Sequence, residues 1–248
     1  MKPSAWGWLK AMAVAIQKPS TFAQYKTLLL KDLQREFRTK DMLSSMAIYA
    51  VLVLVVYGAA LSQTGRQFDI LQMSGGLLWA LIIFTSLLGL NRSFSYEKED
   101  GCLEGILLVP LDRSVVFLAK ATSNLIFLLI VEVMVLPLYY FFFLTTTTPA
   151  PTWPMMLLPL FVGTIGIAGI GTLLSTITAN TRGKDVLLAI LFIPLVFPLL
   201  YSCVSATTVV VAGGDIEGVY LNSVLLAAGY DLIMVLLSWV LYDFAVSA

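Results

Sequence analysis

The chain contains no histidine. That removes the side chain most used as a general base, a metal ligand and a proton shuttle near neutral pH. Charge is scarce as well. Asp, Glu, Lys and Arg make up 12% of the 248 residues and cancel to zero net charge, so nothing marks the chain as a binder of nucleic acid. The remaining Cys, Asp and Glu residues show no cluster with ligand-like spacing, so no metal centre and no resident cofactor are expected. A phosphate-binding loop of the Gly-x-x-x-x-Gly-Lys-Ser/Thr kind is also missing. Its nearest approach, Arg182-Gly183-Lys184-Asp185, lacks the leading glycine and the hydroxyl that holds magnesium. The chain is therefore not expected to be an enzyme, and any ATP its work consumes is hydrolysed on another chain.

What is present is apolar sequence in long runs. Hydrophobic residues account for 59% of the chain, and the mean hydropathy is +0.90, far above that of an ordinary globular domain. Six runs are each long enough to cross a hydrocarbon core of about 30 Å: residues 42–62, 71–90, 118–138, 155–177, 186–209 and 220–241. With the N-terminus inside, fourteen of the fifteen Lys and Arg residues fall on one side, and only Arg66 falls on the other. The positive-inside rule then puts both termini in the cytoplasm of a six-helix, all-α integral membrane protein. On that topology Cys102 lies in a cytoplasmic loop and Cys203 near the outer end of span five, so no disulfide is expected. The early apolar stretch 11–16 is too short for a cleaved signal peptide.

Three segments follow from this pattern. Residues 1–20 form an N-terminal extension with Trp6 and Trp8 as aromatic anchors. Residues 21–41 read as an amphipathic helix in which Phe22, Tyr25, Leu29, Leu33 and Phe37 recur at helical spacing, with Lys26, Lys31, Arg35 and Arg38 mostly on other faces. Such a helix lies in the headgroup layer or packs on a partner, and its direct continuation into span one favours the first. Residues 42–248 hold the six spans. Outer loops at 63–70, 145–154 and 212–219 leave no room for an external domain, and Tyr139, Tyr140, Trp153, Tyr201 and Tyr220 are placed for an aromatic belt.

The longest charged loop, 91–113, is on the inner side. Within it, residues 102–109 form a short helical segment bounded by Gly101 and Pro110, with Leu103, Ile106 and Leu107 on one face. It is either a cytoplasmic helix fitted to a groove on another protein or a plain hairpin connection. Span four carries Gly163, Gly166, Gly169 and Gly171, small residues that let helices approach closely in lipid. They serve packing within one subunit or a dimer contact. Two carboxyls, Glu132 and Asp231, fall near mid-membrane. Glu132 is twelve residues past Lys120, about 18 Å along a helix. Intramembrane carboxyls face the bundle or a cavity and take a partner; for Glu132 the candidates are Ser123, Asn124 and Thr172. They are either hydrogen-bonded structural groups or participants in a conformational cycle.

The run Phe94-Ser95-Tyr96-Glu97-Lys98-Glu99-Asp100-Gly101, continuing through Leu103-Glu104-Gly105 and Pro110-Leu111-Asp112-Arg113 to Lys120, resembles the heme exporter protein B family. The resemblance continues through Glu132, Pro137, Gly163-Thr164, Gly171-Thr172-Leu173 and Asn180-Thr181-Arg182 into the segment 194–198, and covers roughly residues 28–242. It implies the permease subunit of an ABC-type complex for cytochrome c-type biogenesis in the bacterial inner membrane. Such a subunit dimerises and docks ATP-binding subunits through a coupling helix, here Glu97, Asp100, Gly101, Leu103, Glu104, Gly105, Pro110 and Arg113. A second heme-handling membrane protein, a heme chaperone on the outer side, and heme as substrate are further implications. Two other functions compete: an ABC export permease for a lipid, drug or polysaccharide, and an ion-coupled carrier using Glu132 and Asp231. The carrier lacks the inverted repeat and paired broken helices common in that class.

Overall fold

In the computed structural model, which describes residues 20–64, 70–99, 112–144, 153–179, 181, 183–214 and 216–247, all regular structure is helical. A surface helix, α1 (Thr21–Thr39), precedes six long ones: α2 (Asp41–Thr64), α3 (Ile70–Glu99), α4 (Arg113–Phe143), α5 (Trp153–Thr178), α6 (Lys184–Ala212) and α7 (Leu221–Ser247). A π-type turn, Ile216–Tyr220, leads into α7. The six long helices are apolar enough to cross a membrane. Most of them run past the hydrophobic segments, most of all α3 and α4, because side chains that leave the hydrocarbon can still continue a helix.

α5 is the axle of the bundle. It packs against α3, α4, α6 and α7, and its apolar stretch is the most buried of the six at 72%, against 22% for those of α2 and α7. Its glycines make this possible. A Cβ built on Gly163 would lie 2.2 Å from the Trp79 ring, one on Gly169 2.8 Å from Val235, and one on Gly171 2.3 Å from Leu90. All four glycines of the run are thus taken up by neighbours in the same chain, Gly166 by Asp231 as described below. The peripheral helices carry the opposite pattern. Ile48, Leu52, Val55 and Val56 on α2, and Leu225, Leu226, Leu232 and Ile233 on α7, are all exposed. Helices apolar on every face are stable with such surfaces only in lipid.

Proline inside a helix leaves the carbonyl four residues earlier without its donor. For Pro159 in α5 that carbonyl belongs to Met155, and the Tyr220 hydroxyl donates to it at 2.9 Å. Tyr220 is accordingly buried. Tyr139 is buried too, donating to the Ser74 carbonyl at 2.7 Å. Neither serves in a lipid-facing aromatic belt, whereas Tyr201, 71% exposed, is free to do so. Buried backbone carbonyls claim both phenols, and the Met155 carbonyl has lost its helical donor to Pro159.

The helix ends are fastened with side chains at the basic end of the bundle. Ser20 accepts from the Ala23 amide to cap α1. Glu36 of α1 accepts from the Leu43 amide at 2.8 Å, serving a donor in the first turn of α2 that has no helical partner. Lys40, with φ 58°, makes the sharp left-handed turn between them. Arg92 donates to the Asp41 carbonyl, and Arg113 to the Asp243 carbonyl, drawing the ends of α2, α3, α4 and α7 together.

Candidate functional site

The two intramembrane carboxyls lie on opposite flanks of α5, two residues apart along it. Glu132 is held on α4, 6% exposed, with its Oε1 2.6 Å from Thr164 Oγ1. Thr164 Oγ1 is also 2.7 Å from the Leu160 carbonyl. Thr164 thus donates toward both the Glu132 carboxyl and the Leu160 carbonyl, two acceptors that share its single hydrogen. The expected partners Ser123, Asn124 and Thr172 are therefore not the ones used. Asn124 instead donates to Thr172 at 2.9 Å, and Ser123 turns back to the Ala119 carbonyl. The reason is helical phase. Asn124 and Glu132 are eight residues apart on one face of α4, so each meets α5 two turns apart, at Thr172 and Thr164.

Asp231 on α7 is 5% exposed, and neither carboxyl oxygen has a hydrogen-bond partner among the described residues. Its space is supplied by Gly166, where a built Cβ would fall 1.9 Å from Oδ1. The surrounding wall includes Leu199 of α6, against the same glycine, and Cys203, packed beside Gly163 and buried. A second interior contact crosses α3 and α6, where the Trp79 indole donates to Thr207 at 3.0 Å. Trp79 is the largest side chain in the core, and its role was hidden in the sequence because it sits in a uniformly apolar run.

Glu132 also lines two spaces. A groove of about 500 Å³ opens between α4 and α5, walled by Leu129, Val133, Leu136, Leu157 and Phe161 among others. On the other side a small gap of about 20 Å³ lies toward Met46, Leu81 and Thr85. The carboxyl is thus the one charged-type group on the floor of an otherwise apolar, laterally open groove. No group of three His, Cys, Asp or Glu able to hold a metal occurs among the described residues.

Of the residues expected to couple to an ATPase, Glu97 falls near the end of α3, and Arg113 opens α4 and reaches α7 through the Asp243 carbonyl. Asp100, Gly101, Leu103, Glu104, Gly105 and Pro110, with the whole 102–109 segment, lie outside the described residues. What the sequence did not single out is the docked face of α1. Its most buried residues are Gln24 and Glu36, while Phe22 and Phe37 of the expected apolar face are 73% and 52% exposed. The helix lies on the bundle through a mixed edge, with Leu28 and Leu33 packed on the core beside Gln24 and Glu36. A signal for this was present: Gln24, Asp32 and Glu36 are spaced by multiples of four and share one stripe.

The sequence profile of the CcmB protein family matches residues 23–248. Curated relatives include heme exporter protein B of Pseudomonas aeruginosa, 29% identical over 177 residues that cover 71% of this chain and 77% of that protein. Heme exporter protein B of Rhodobacter capsulatus is 29% identical over 178 residues, covering 71% and 78%. That of Paracoccus denitrificans is 25% identical over 190 residues, covering 77% and 85%. The match takes in α1, all six long helices, both intramembrane carboxyls and the glycine run of α5. The chain is a member of the CcmB family of heme-exporter permeases.

Proposed function

We propose that this chain is the transmembrane permease subunit of an ATP-driven complex that exports heme, or releases a heme-loaded chaperone, in support of cytochrome c-type biogenesis. The observation that carries the reading is the family match over residues 23–248, joined to relatives named as heme exporters over most of their length. The chain lacks a nucleotide-binding loop, so ATP is bound and hydrolysed by a partner subunit. The 102–109 segment, through Leu103 and Glu104, docks that partner from the cytoplasm. The basic residues gathered at one end support an inner-membrane orientation with both termini inside. α1 lies in the headgroup layer there, its exposed Phe22, Leu30 and Phe37 facing lipid. The lipid-exposed faces of α2 and α7 are the surfaces left for a second copy and for a heme-handling membrane protein.

Complementation tests this reading. A strain deleted for the chain is expected to lose heme-stained c-type cytochromes and to regain them when the chain is restored. Unchanged cytochrome c in the deletion strain contradicts it, and an accumulated lipid, drug or polysaccharide precursor would name a different cargo. Reporters fused after Arg113 or Lys184 are expected to read cytoplasmic, and one within residues 145–154 external.

A further inference from the structure

α1 meets α4 through a set of polar contacts, one of them to a buried lysine. Lys120 of α4 is 5% exposed, and its Nζ lies 2.8 Å from Asp32 Oδ2 of α1. Gln24 Oε1 accepts from the Asp112 amide at 3.2 Å, at the residue that opens α4. The Tyr25 hydroxyl donates to Thr122 at 3.2 Å. These contacts reach from Asp112 to Thr122, about 15 Å along α4, so the two helices are joined over almost three turns.

A helix docked for stability alone would turn its apolar residues inward. This one packs Leu28 and Leu33 on the core but buries Gln24 and Glu36 beside them, inserts a half-buried Asp32, and leaves Phe22, Leu30 and Phe37 exposed. A buried ion pair is a poor source of stability, because desolvation offsets most of the attraction and apolar replacements are often neutral or better. What such a pair can supply is one defined pose, since a slip of the helix carries Asp32, which also has Lys31 at 3.6 Å, away from the buried Lys120. The far end of α1 is fixed in the same way, by Glu36 on the first turn of α2. α1 therefore bridges the starts of α2 and α4 at the basic end of the bundle.

We propose that Asp32 and Lys120 are positioning residues: their ion pair sets the pose of α1 on the start of α4, so that α1 and the first turns of α4 move as one body during transport. The pose is a statement about this chain alone; its use in transport rests on the function proposed above. In a Cys102→Ser, Cys203→Ala background, cysteines at Tyr25 and Thr122 report the pose through the yield of a short bifunctional thiol cross-linker. The apolar pair Asp32→Leu with Lys120→Met is expected to keep accumulation and thermal melting in detergent within a few degrees of the parent. It is also expected to cut the cross-link yield at least fivefold and to lower cytochrome c content in complemented cells by a similar factor. The exchanged pair Asp32→Lys with Lys120→Asp is expected to recover both. An unchanged cross-link yield in the apolar pair overturns the proposal, as does a collapse of accumulation in both pairs, which makes the ion pair merely structural. A lost cross-link with normal cytochrome c overturns the transport role. If the unaltered chain itself fails to restore cytochrome c, the functional reading falls, and the cross-link alone still decides the pose.

Discussion

The two flanks of α5 treat a buried carboxyl in opposite ways. On the α4 side Glu132 meets a hydroxyl, Thr164, and is hydrogen-bonded; on the α7 side the Asp231 carboxyl lies against Gly166 with no side-chain hydrogen-bond partner among the described residues. A buried polar group without a partner costs about 1–3 kcal/mol. The first flank is therefore held by a bond and the second by shape. Glu132 is settled in this conformation, while Asp231 gains from any rearrangement that brings it a donor. Helix α5 is joined to α4 by side-chain hydrogen bonds and to α7 mainly by close packing.

The comparison breaks most visibly at the glycine. Gly166→Leu places atoms where the Asp231 carboxyl now lies, and overpacking of a tight crossing costs about 3 kcal/mol or more. Folded protein recovered in detergent is expected to fall severely. Gly229 has open space around its Cβ position, so Gly229→Ala serves as the contrast. It should raise stability slightly, by less than about 1 kcal/mol, through helix propensity alone. Equal losses from both changes would show that α7 does not sit on Gly166 as described.

Truncation of the carboxyls ranks next. Glu132→Ala removes a bonded group from the floor of the α4–α5 groove and is expected to cost about 2 kcal/mol in a thermal or denaturant melt. Glu132→Gln keeps size and one hydrogen bond to Thr164, so the chain should assemble with a loss below about 1 kcal/mol. Cytochrome c maturation is nonetheless expected to drop in Glu132→Gln, because an amide can neither release nor take up a proton at neutral pH. Normal maturation there, alongside failed assembly of Glu132→Ala, makes the residue structural. Asp231→Ala, which breaks no side-chain hydrogen bond, is expected to cost less than Glu132→Ala, within about 1 kcal/mol of the parent. A larger loss at Asp231 would reverse the assignment of bonded and unbonded flanks.

Much of this architecture was legible in the sequence because a bilayer writes strong patterns. Backbone groups in lipid must pair within their own helix, so each span declares itself by length, and the basic residues declare the ends. The glycines of α5 declared close packing, although periodicity does not say against which helix; Trp79, Asp231, Val235 and Leu90 answered that only in three dimensions. The carboxyls were visible as charges in apolar runs. Their partners were not, because choosing Thr164 over Thr172 depends on the axial register of α4 against α5, a tertiary quantity. The apolar stripe of α1 did not say which residues meet the bundle. An amphipathic pattern shows that a helix has two faces, and on a membrane protein the apolar one belongs to lipid as readily as to the core.

On the function proposed above, this bundle works as one part of an ATP-driven assembly. The most direct measurement is affinity purification of the intact chain from its own membranes, with ATP hydrolysis measured in the eluate. An ATP-binding subunit is expected to co-elute and to hydrolyse ATP. Glu104→Lys is expected to lose it by reversing one charge of a docked pair, a cost of about 2–5 kcal/mol in association, while the chain still reaches the membrane. Recovery of the chain without any ATP-hydrolysing partner would contradict the account.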